Sequence, residues 1–261
     1  MVTPSYNQAV FLERTIRSVL DQGYPNLEYI IVDGGSGDGS REIIERYADR
    51  LAFWVSEEDR GQAHAINKGL QRATGEWVAW QNSDDIYYPG VFDALARAVE
   101  RHPRVDLIVG NVLLINAEDR VLRDMRYVTP SYRALLAEGM VLTNQAAFWR
   151  RSAHDRLGWI DESLQCAFDY DWFLRLLQHG KAAHVDQFWG GYRLHSETKT
   201  SRFGELCRDE HRRLLAGREL PSWEKRALRV QRMLALLAHG HVGYVARGIL
   251  RRSLGIGRQV E

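Results

Sequence analysis

Asp84 and Asp85 stand side by side in the stretch WVAWQNSDDIYYPG, residues 77–90. The run Trp77-Val78-Ala79-Trp80 suits a buried strand, and Pro89-Gly90 reads as a turn after the acidic pair. Two like charges at adjacent positions repel, and their separate hydration is costly to give up. Acidic residues are common in turns, where short side chains bond the local backbone, and that is the plainer account. The sharper one is a divalent cation, or a ligand that brings one. Hard cations take oxygen ligands, often one or two carboxylates together with phosphate oxygens.

Three further places could carry chemistry. Asp33 closes the apolar run LEYIIVD and opens the loop GGSGDGS at 34–40. A carboxylate there can accept from a base N–H or a ribose hydroxyl, and glycines let a ligand approach the backbone. The loop fits neither the dinucleotide fingerprint nor a P-loop. In FDYDW, Asp169 and Asp171 are two apart, so on a helix they face different ways and at most one meets a substrate. Both also suit a first helical turn, where the dipole favours acids. His195 follows the aromatic run FWGGYRL, with Arg193 and Lys199 nearby. His64, His154 and His184 have no metal-like spacing and read as structural.

These residues need elements to hold them. Val10, Phe11, Ile16, Val19 and Leu20 recur at helical spacing, which predicts a helix over 8–22, ended by Gly23 and Pro25. Short apolar runs predict strands at 27–33, 52–56 and 76–81. Helices are expected at 41–49, with Ser40 as a cap, and at 61–73. Strand and helix thus alternate through the first hundred residues, the pattern of an α/β domain with a mostly parallel sheet. Ligands of such sheets bind beyond the carboxyl ends of the strands, where DGGSGDGS and NSDD both fall. Farther on, LIVGNVLLI and VLRDMRYV flank a predicted hairpin turn at 116–119. A strand running into a helix is expected at 143–151, a helix at 169–180 and a last strand at 188–195. From about 203 the chain reads as helical and basic, with a break at Pro221.

The stretches VTPSYNQ, IIVDGGSGDGS, DRGQAHAINKG and WQNSDDIYYPG, followed by AFDYDWFLRL and YRLHSETKTS, resemble family 2 glycosyltransferases in order and spacing. The resemblance covers roughly residues 1–200 and implies the GT-A nucleotide-diphospho-sugar transferase fold. By it, residues 1–202 form the catalytic domain, with a nucleotide-binding half over 1–100 and an acceptor half over 101–202. Thr3, Pro4 and Tyr6 would cup the nucleobase. Asp33 would read the base N3–H, favouring uracil, near Gly35. Arg60 and Gln62 would close over the nucleotide. NSDD would serve as the DXD motif, with Asp84 at the ribose and Asp85 on Mn²⁺ or Mg²⁺. Asp169 would be the catalytic base, His195 a further metal or diphosphate contact, and Asn144 and Gln145 would lie on the acceptor side. The implied activity is inverting, metal-dependent transfer of a hexosyl or N-acetylhexosaminyl group from a UDP-sugar. Its acceptor would be a glycan or lipid-linked glycan in cell-surface polysaccharide synthesis. A sugar nucleotidyltransferase shares the layout but carries a different Gly-rich signature, and a catalytically inactive binding relative is the non-enzyme alternative. Only Met1 and Val2 precede Thr3, so the first strand is expected to be nearly missing, from a late start or a trimmed chain. The chain has no QxxRW motif, which disfavours a processive synthase.

The chain has 261 residues, 45% of them hydrophobic and 26% charged, enough apolar material for a large core. A net charge of +1 gives no general reason to expect nucleic-acid binding. Cys166 and Cys207 form no CxxC pair, and a disulfide is not expected in a chain that looks cytosolic. No run of 18 apolar residues announces a membrane span, and no signal peptide precedes the first motif. The tail over 203–261 mixes Arg with Leu, Val and Ile. It fits either an amphipathic appendage packed on the domain or a peripheral anchor on the anionic inner leaflet. The expected location is therefore cytoplasmic, with or without that attachment.

Overall fold

The computed structural model describes residues 1–195 and 204–253. In chain order the first half runs β1 (Val2–Ser5), α1 (Ala9–Leu20), β2 (Ile30–Asp33), α2 (Ser40–Glu45), β3 (Phe53–Ser56), α3 (Gln62–Arg72), β4 (Trp77–Val78), β5 (Ile86–Tyr87) and α4 (Val91–Arg101). Strands β1, β2 and β3 are parallel, with β2 between the other two. The stretch after β4 lies against the other edge of β1: Val2 N–H donates to Ala79 O at 3.0 Å and Gln81 N–H to Val2 O at 2.9 Å. The first strand is therefore present and central, contrary to the expected gap. Thr3 and Ser5 belong to it although they are polar. Thr3 is fully buried because its hydroxyl bonds the Tyr29 hydroxyl at 2.9 Å. Helix α1 buries Phe11, Ile16, Val19 and Leu20 as predicted, together with Leu12, whereas Val10, counted with that face, is 77% exposed.

The second half continues with β6 (Leu107–Ile115), β7 (Val121–Met125), α5 (Tyr132–Glu138), β8 (Ala147–Arg150), α6 (Ala153–Leu157), α7 (Phe168–His179) and β9 (Ala182–Arg193). Here β6 is the spine. It pairs antiparallel with β7 and β8 and parallel with β9, and β9 carries β5 on its far side. The predicted hairpin is β6–β7, and the last strand starts six residues before its expected beginning at 188. Trp80 is central to the core: its ring lies 5.1 Å from Trp149 and 6.2 Å from Phe173. Thus α7, through Phe168 and Phe173, is packed against the stretch that leads into NSDD.

The tail forms α8 (Gly204–Leu215), α9 (Ser222–Ala238) and α10 (Val242–Ser253). All three touch the rest of the chain. Helix α8 is tied by a Cys166–Cys207 disulfide, which overturns the expectation of two free thiols. Helix α9 lies on α5, burying Leu236 and pairing Arg232 with Glu138 at 2.9 Å. From α10, Arg247 reaches Asp124 at 3.1 Å. Among the described residues no helix is long and apolar enough to cross a membrane.

Candidate functional site

The NSDD loop is held from several directions. Thr15 on α1 donates its hydroxyl to Ser83 O and Asp85 O, at 2.9 and 2.7 Å. Asp85 is 1% exposed and turned inward. Its Oδ1 accepts from the Arg193 backbone N–H at 2.8 Å. Its Oδ2 accepts from Asn82 Nδ2 at 2.9 Å and Gln145 Nε2 at 2.7 Å. Asn82 Oδ1 in turn accepts from Gln62 Nε2 at 2.8 Å. Burial, and then the neighbouring Asp84 charge, push the Asp85 carboxyl well above its ordinary range, against the three hydrogen bonds that favour the anion. A carboxylate so enclosed and so occupied is a brace for the loop.

Asp84 occupies the outer place. Its side chain is 19% exposed, and Oδ2 lies 3.0 Å from His195 Nε2. The His195 ring is seated against Phe11, centroids 4.6 Å apart. One carboxylate oxygen and one imidazole nitrogen thus converge at hydrogen-bonding distance. Among the described residues no cluster of three or more His, Cys, Asp or Glu could hold a metal unaided. Two protein ligands fit a hard cation that a diphosphate helps to bind, and do not make a self-sufficient cage. Arg193 is fully buried, and its Nε donates to Asp84 O at 2.6 Å. Lys199 lies outside the described residues.

At the ends of β1 and β2, the expected nucleobase residues divide. Thr3 and Pro4 are buried within the strand, whereas Tyr6 is 62% exposed. Asp33 is fully buried. It accepts from Ser36 Oγ at 2.6 Å and Ser56 Oγ at 2.7 Å, so it secures the glycine loop from inside. Asp38 in the same loop accepts the Ala9 N–H at 2.9 Å and so holds the start of α1. Gly35, at φ +79°, turns the loop in a conformation that L side chains rarely adopt. Beside it, a Cβ on Gly34 would lie 2.7 Å from Asp59 Oδ2 and 3.3 Å from the Tyr6 ring. The Asp59 carboxylate and the Tyr6 ring thus both lie beside Gly34. Arg60 reaches across to Glu162 at 2.5 Å.

On the other side, Asp169 lies half-buried in the first turn of α7, where its Oδ1 accepts the Tyr170 N–H at 2.7 Å. Asp171 faces inward and pairs with Arg175 at 2.8 Å, a structural contact. Asn144 and Gln145 are both buried. Gln145 braces Asp85, and its close approach needs Gly190 on β9, where any Cβ would collide with the Gln145 carbonyl. His154 stacks on Trp172 with centroids 4.3 Å apart, and burial lowers its pKa to about 4. His184 is likewise lowered to about 4 by burial and bonds Asn111. His64 accepts the Arg60 N–H. All three have structural partners, as their spacing suggested.

The family model for glycosyl transferase family 2 matches residues 1–158, more than half of the chain. The chain belongs to this family. Its fold is the GT-A fold of nucleotide-diphospho-sugar transferases. It is similar to a putative teichuronic acid biosynthesis glycosyltransferase, TuaG, of Bacillus subtilis: 47% identity over 88 residues, 33% of this chain and 35% of that protein. An uncharacterized glycosyltransferase of Mycobacterium tuberculosis is 31% identical over 180 residues, covering 67% of each. Three of the curated relatives are matched over only 35%, 58% and 57% of their own lengths. Among solved structures, Staphylococcus aureus TarS 1–349 in complex with UDP-GlcNAc has a TM-score of 0.66 at 17% identity, over 87% of this chain and 69% of that one. The mannosyltransferase PcManGT of Pyrobaculum calidifontis, in complex with GDP-Man and Mn²⁺, has a TM-score of 0.59 at 20% identity, over 98% and 80%.

Within this family 2 fold, two supporting residues carry roles that the sequence does not announce. Asn82, inside the NSDD motif, links Gln62 to Asp85. Glu210 on α8 is 3% exposed and caps the approach to α7. Its carboxylate accepts from the N–H groups of Gln165, Cys166 and Ala167, each at 2.9 Å. Burial alone would raise its pKa, but those three donors outweigh it and lower it. No local signal marks such a residue, because its partners lie 43–45 positions away.

Proposed function

We propose that this chain is an inverting, metal-dependent glycosyltransferase. It moves a single sugar from a UDP-sugar to a hydroxyl of a glycan or lipid-linked glycan in cell-surface polysaccharide synthesis. The observation that carries this reading is the convergence of Asp84 Oδ2 and His195 Nε2 at 3.0 Å on the outer side of a loop whose other aspartate is buried. Asp84 and His195 would hold the divalent cation, and Asp85 would position Asp84. This exchanges the roles first expected for the two carboxylates. The bound cation would neutralise charge developing on the departing diphosphate. Tyr6 offers its exposed ring to the nucleobase. Asp59, rather than the enclosed Asp33, is the carboxylate we assign to the uracil N3–H. Asp169 takes the acceptor proton as that oxygen attacks the anomeric carbon and the bond to the UDP oxygen breaks. Similarity to TuaG, and to TarS crystallised with UDP-GlcNAc, supports the substrate class. Release of UDP from UDP-sugars by purified protein, with and without Mn²⁺, tests the assignment. Pyrophosphate-dependent exchange instead would point to a nucleotidyltransferase.

We further place the enzyme at an anionic membrane surface through α9. Leu236 faces the domain, but Trp223, Val230 and Leu234 are 71, 44 and 57% exposed and share one face. Lys225, Arg226 and Arg229 lie among them. An apolar stripe among basic side chains matches a headgroup interface, where each basic residue contributes about 1 kcal/mol. Full-length protein should co-float with phosphatidylserine-containing vesicles, less so as salt rises. The triple substitution Trp223→Ser, Val230→Ser and Leu234→Ser should abolish flotation while leaving donor hydrolysis intact. Equal binding to neutral vesicles, or self-association of the wild type in place of flotation, would contradict this placement.

A further inference from the structure

Behind Asp84 and His195 lies a charge cluster that donor binding does not itself require. Arg193, the last residue of β9, bonds the loop twice: its backbone N–H goes to Asp85 Oδ1 and its Nε to Asp84 O. Its Nη1 donates to Asn116 O at 2.9 Å and pairs with the Asp119 carboxylate at the tip of the β6–β7 hairpin. Asp119 also receives Arg14 Nη1 from α1 at 2.9 Å. The two guanidiniums stand over one ring, Phe11, at 5.0 and 5.2 Å, and that ring also seats His195. Asp119 adopts φ +65°, a conformation uncommon for residues other than glycine but tolerated by Asp and Asn. Its carboxyl is held below the ordinary range, the two arginines outweighing the effect of burial. One carboxylate thus balances two positive charges directly behind the place assigned to a cation.

We propose that Asp119 is a positioning residue of the cation site: it neutralises Arg193 and Arg14 and locks the hairpin tip to the NSDD loop, so that a divalent cation can settle at Asp84 and His195. The inference rests on the donor-site reading above. Its electrostatic part has a definite sign. Loss of the Asp119 charge leaves two guanidiniums that repel a cation but do not repel a diphosphate. Loss of Arg14 alone has the opposite effect.

Calorimetric titration of UDP, with and without Mn²⁺, decides the matter for wild type, Asp119→Asn, Arg14→Gln and the double variant. Asp119→Asn keeps the size and tolerates the backbone conformation. It should cut the Mn²⁺ enhancement of UDP affinity about tenfold, with metal-free affinity equal or higher. Arg14→Gln should increase the enhancement, and the double variant should return toward wild type. A purely structural role would lower affinity with and without metal together, and that result would overturn the proposal. So would an enhancement in Asp119→Asn within twofold of wild type. If Asp119→Asn does not fold, Arg14→Gln decides alone: an unchanged or smaller enhancement overturns the proposal. Asp84→Asn losing the enhancement while Asp119→Asn keeps it sinks this inference only. Wild type without any enhancement sinks the donor-site reading, and this proposal with it.

Discussion

Asp169→Asn should lower turnover by about 10²–10⁴ while leaving UDP affinity nearly unchanged. Asp169 lies in the first turn of α7, past its cap Ala167, so Asn gives up only a charge–dipole contribution of about 0.3–1 kcal/mol, which α7 should survive. The amide cannot take a proton from an acceptor hydroxyl, so a base role is lost with the substitution. Glu210 and the Cys166–Cys207 link hold the chain just before α7, which keeps residue 169 in place in the variant. Asp171→Asn is the contrasting case. It breaks the pair with Arg175, whose Nη1 and Nη2 also bond Leu157 O and Trp159 O, so its cost should fall on stability. Single-turnover kinetics paired with UDP titration separates the two effects. Turnover of Asp169→Asn within tenfold of wild type would remove Asp169 from the chemistry.

Asp84→Asn should abolish the Mn²⁺ enhancement of UDP affinity and lower kcat by about 10²–10³, the usual cost of losing one group that stabilises developing charge. Asp85→Asn should behave differently. The Asp85 carboxyl is already pushed toward its neutral form by burial and by Asp84, and an amide resembles that form. An amide cannot, however, accept all three N–H donors that now meet Asp85. One buried polar group is left unpaired, at a cost of about 1–3 kcal/mol. The expected outcome is a lower Tm with most of the metal enhancement retained. If Asp85→Asn loses the enhancement and Asp84→Asn keeps it, the two roles revert to those the motif first suggested.

Much of this architecture was legible because it is periodic. The apolar face of α1 and the short strands at 30–33 and 53–56 announced the α/β layout. What was illegible depends on distant partners. Nothing in Asn-Ser-Asp-Asp says which aspartate faces out. That is settled by Gln145 and Arg193, 60 and 108 positions away, which enclose Asp85. The first strand is hidden because apolar runs identify strands, whereas Thr3 is a polar residue made buriable by the Tyr29 hydroxyl. Asp33 looks available at a strand end, yet Ser36 and Ser56 occupy it. Cys166 and Cys207 are 41 residues apart, and only the docking of α8 beside the start of α7 brings them together.

Donor hydrolysis is the most direct test of the central claim, that Asp84 and His195 serve metal-dependent use of a nucleotide-sugar. Purified protein should be incubated with UDP-GlcNAc, UDP-glucose and UDP-galactose, and UDP release followed with Mn²⁺ and with a chelator. At least one UDP-sugar should release UDP in Mn²⁺. That release should stop on chelation and be lost in both Asp84→Asn and His195→Ala. Release that continues unchanged under chelation, or survives in both variants, would contradict the account.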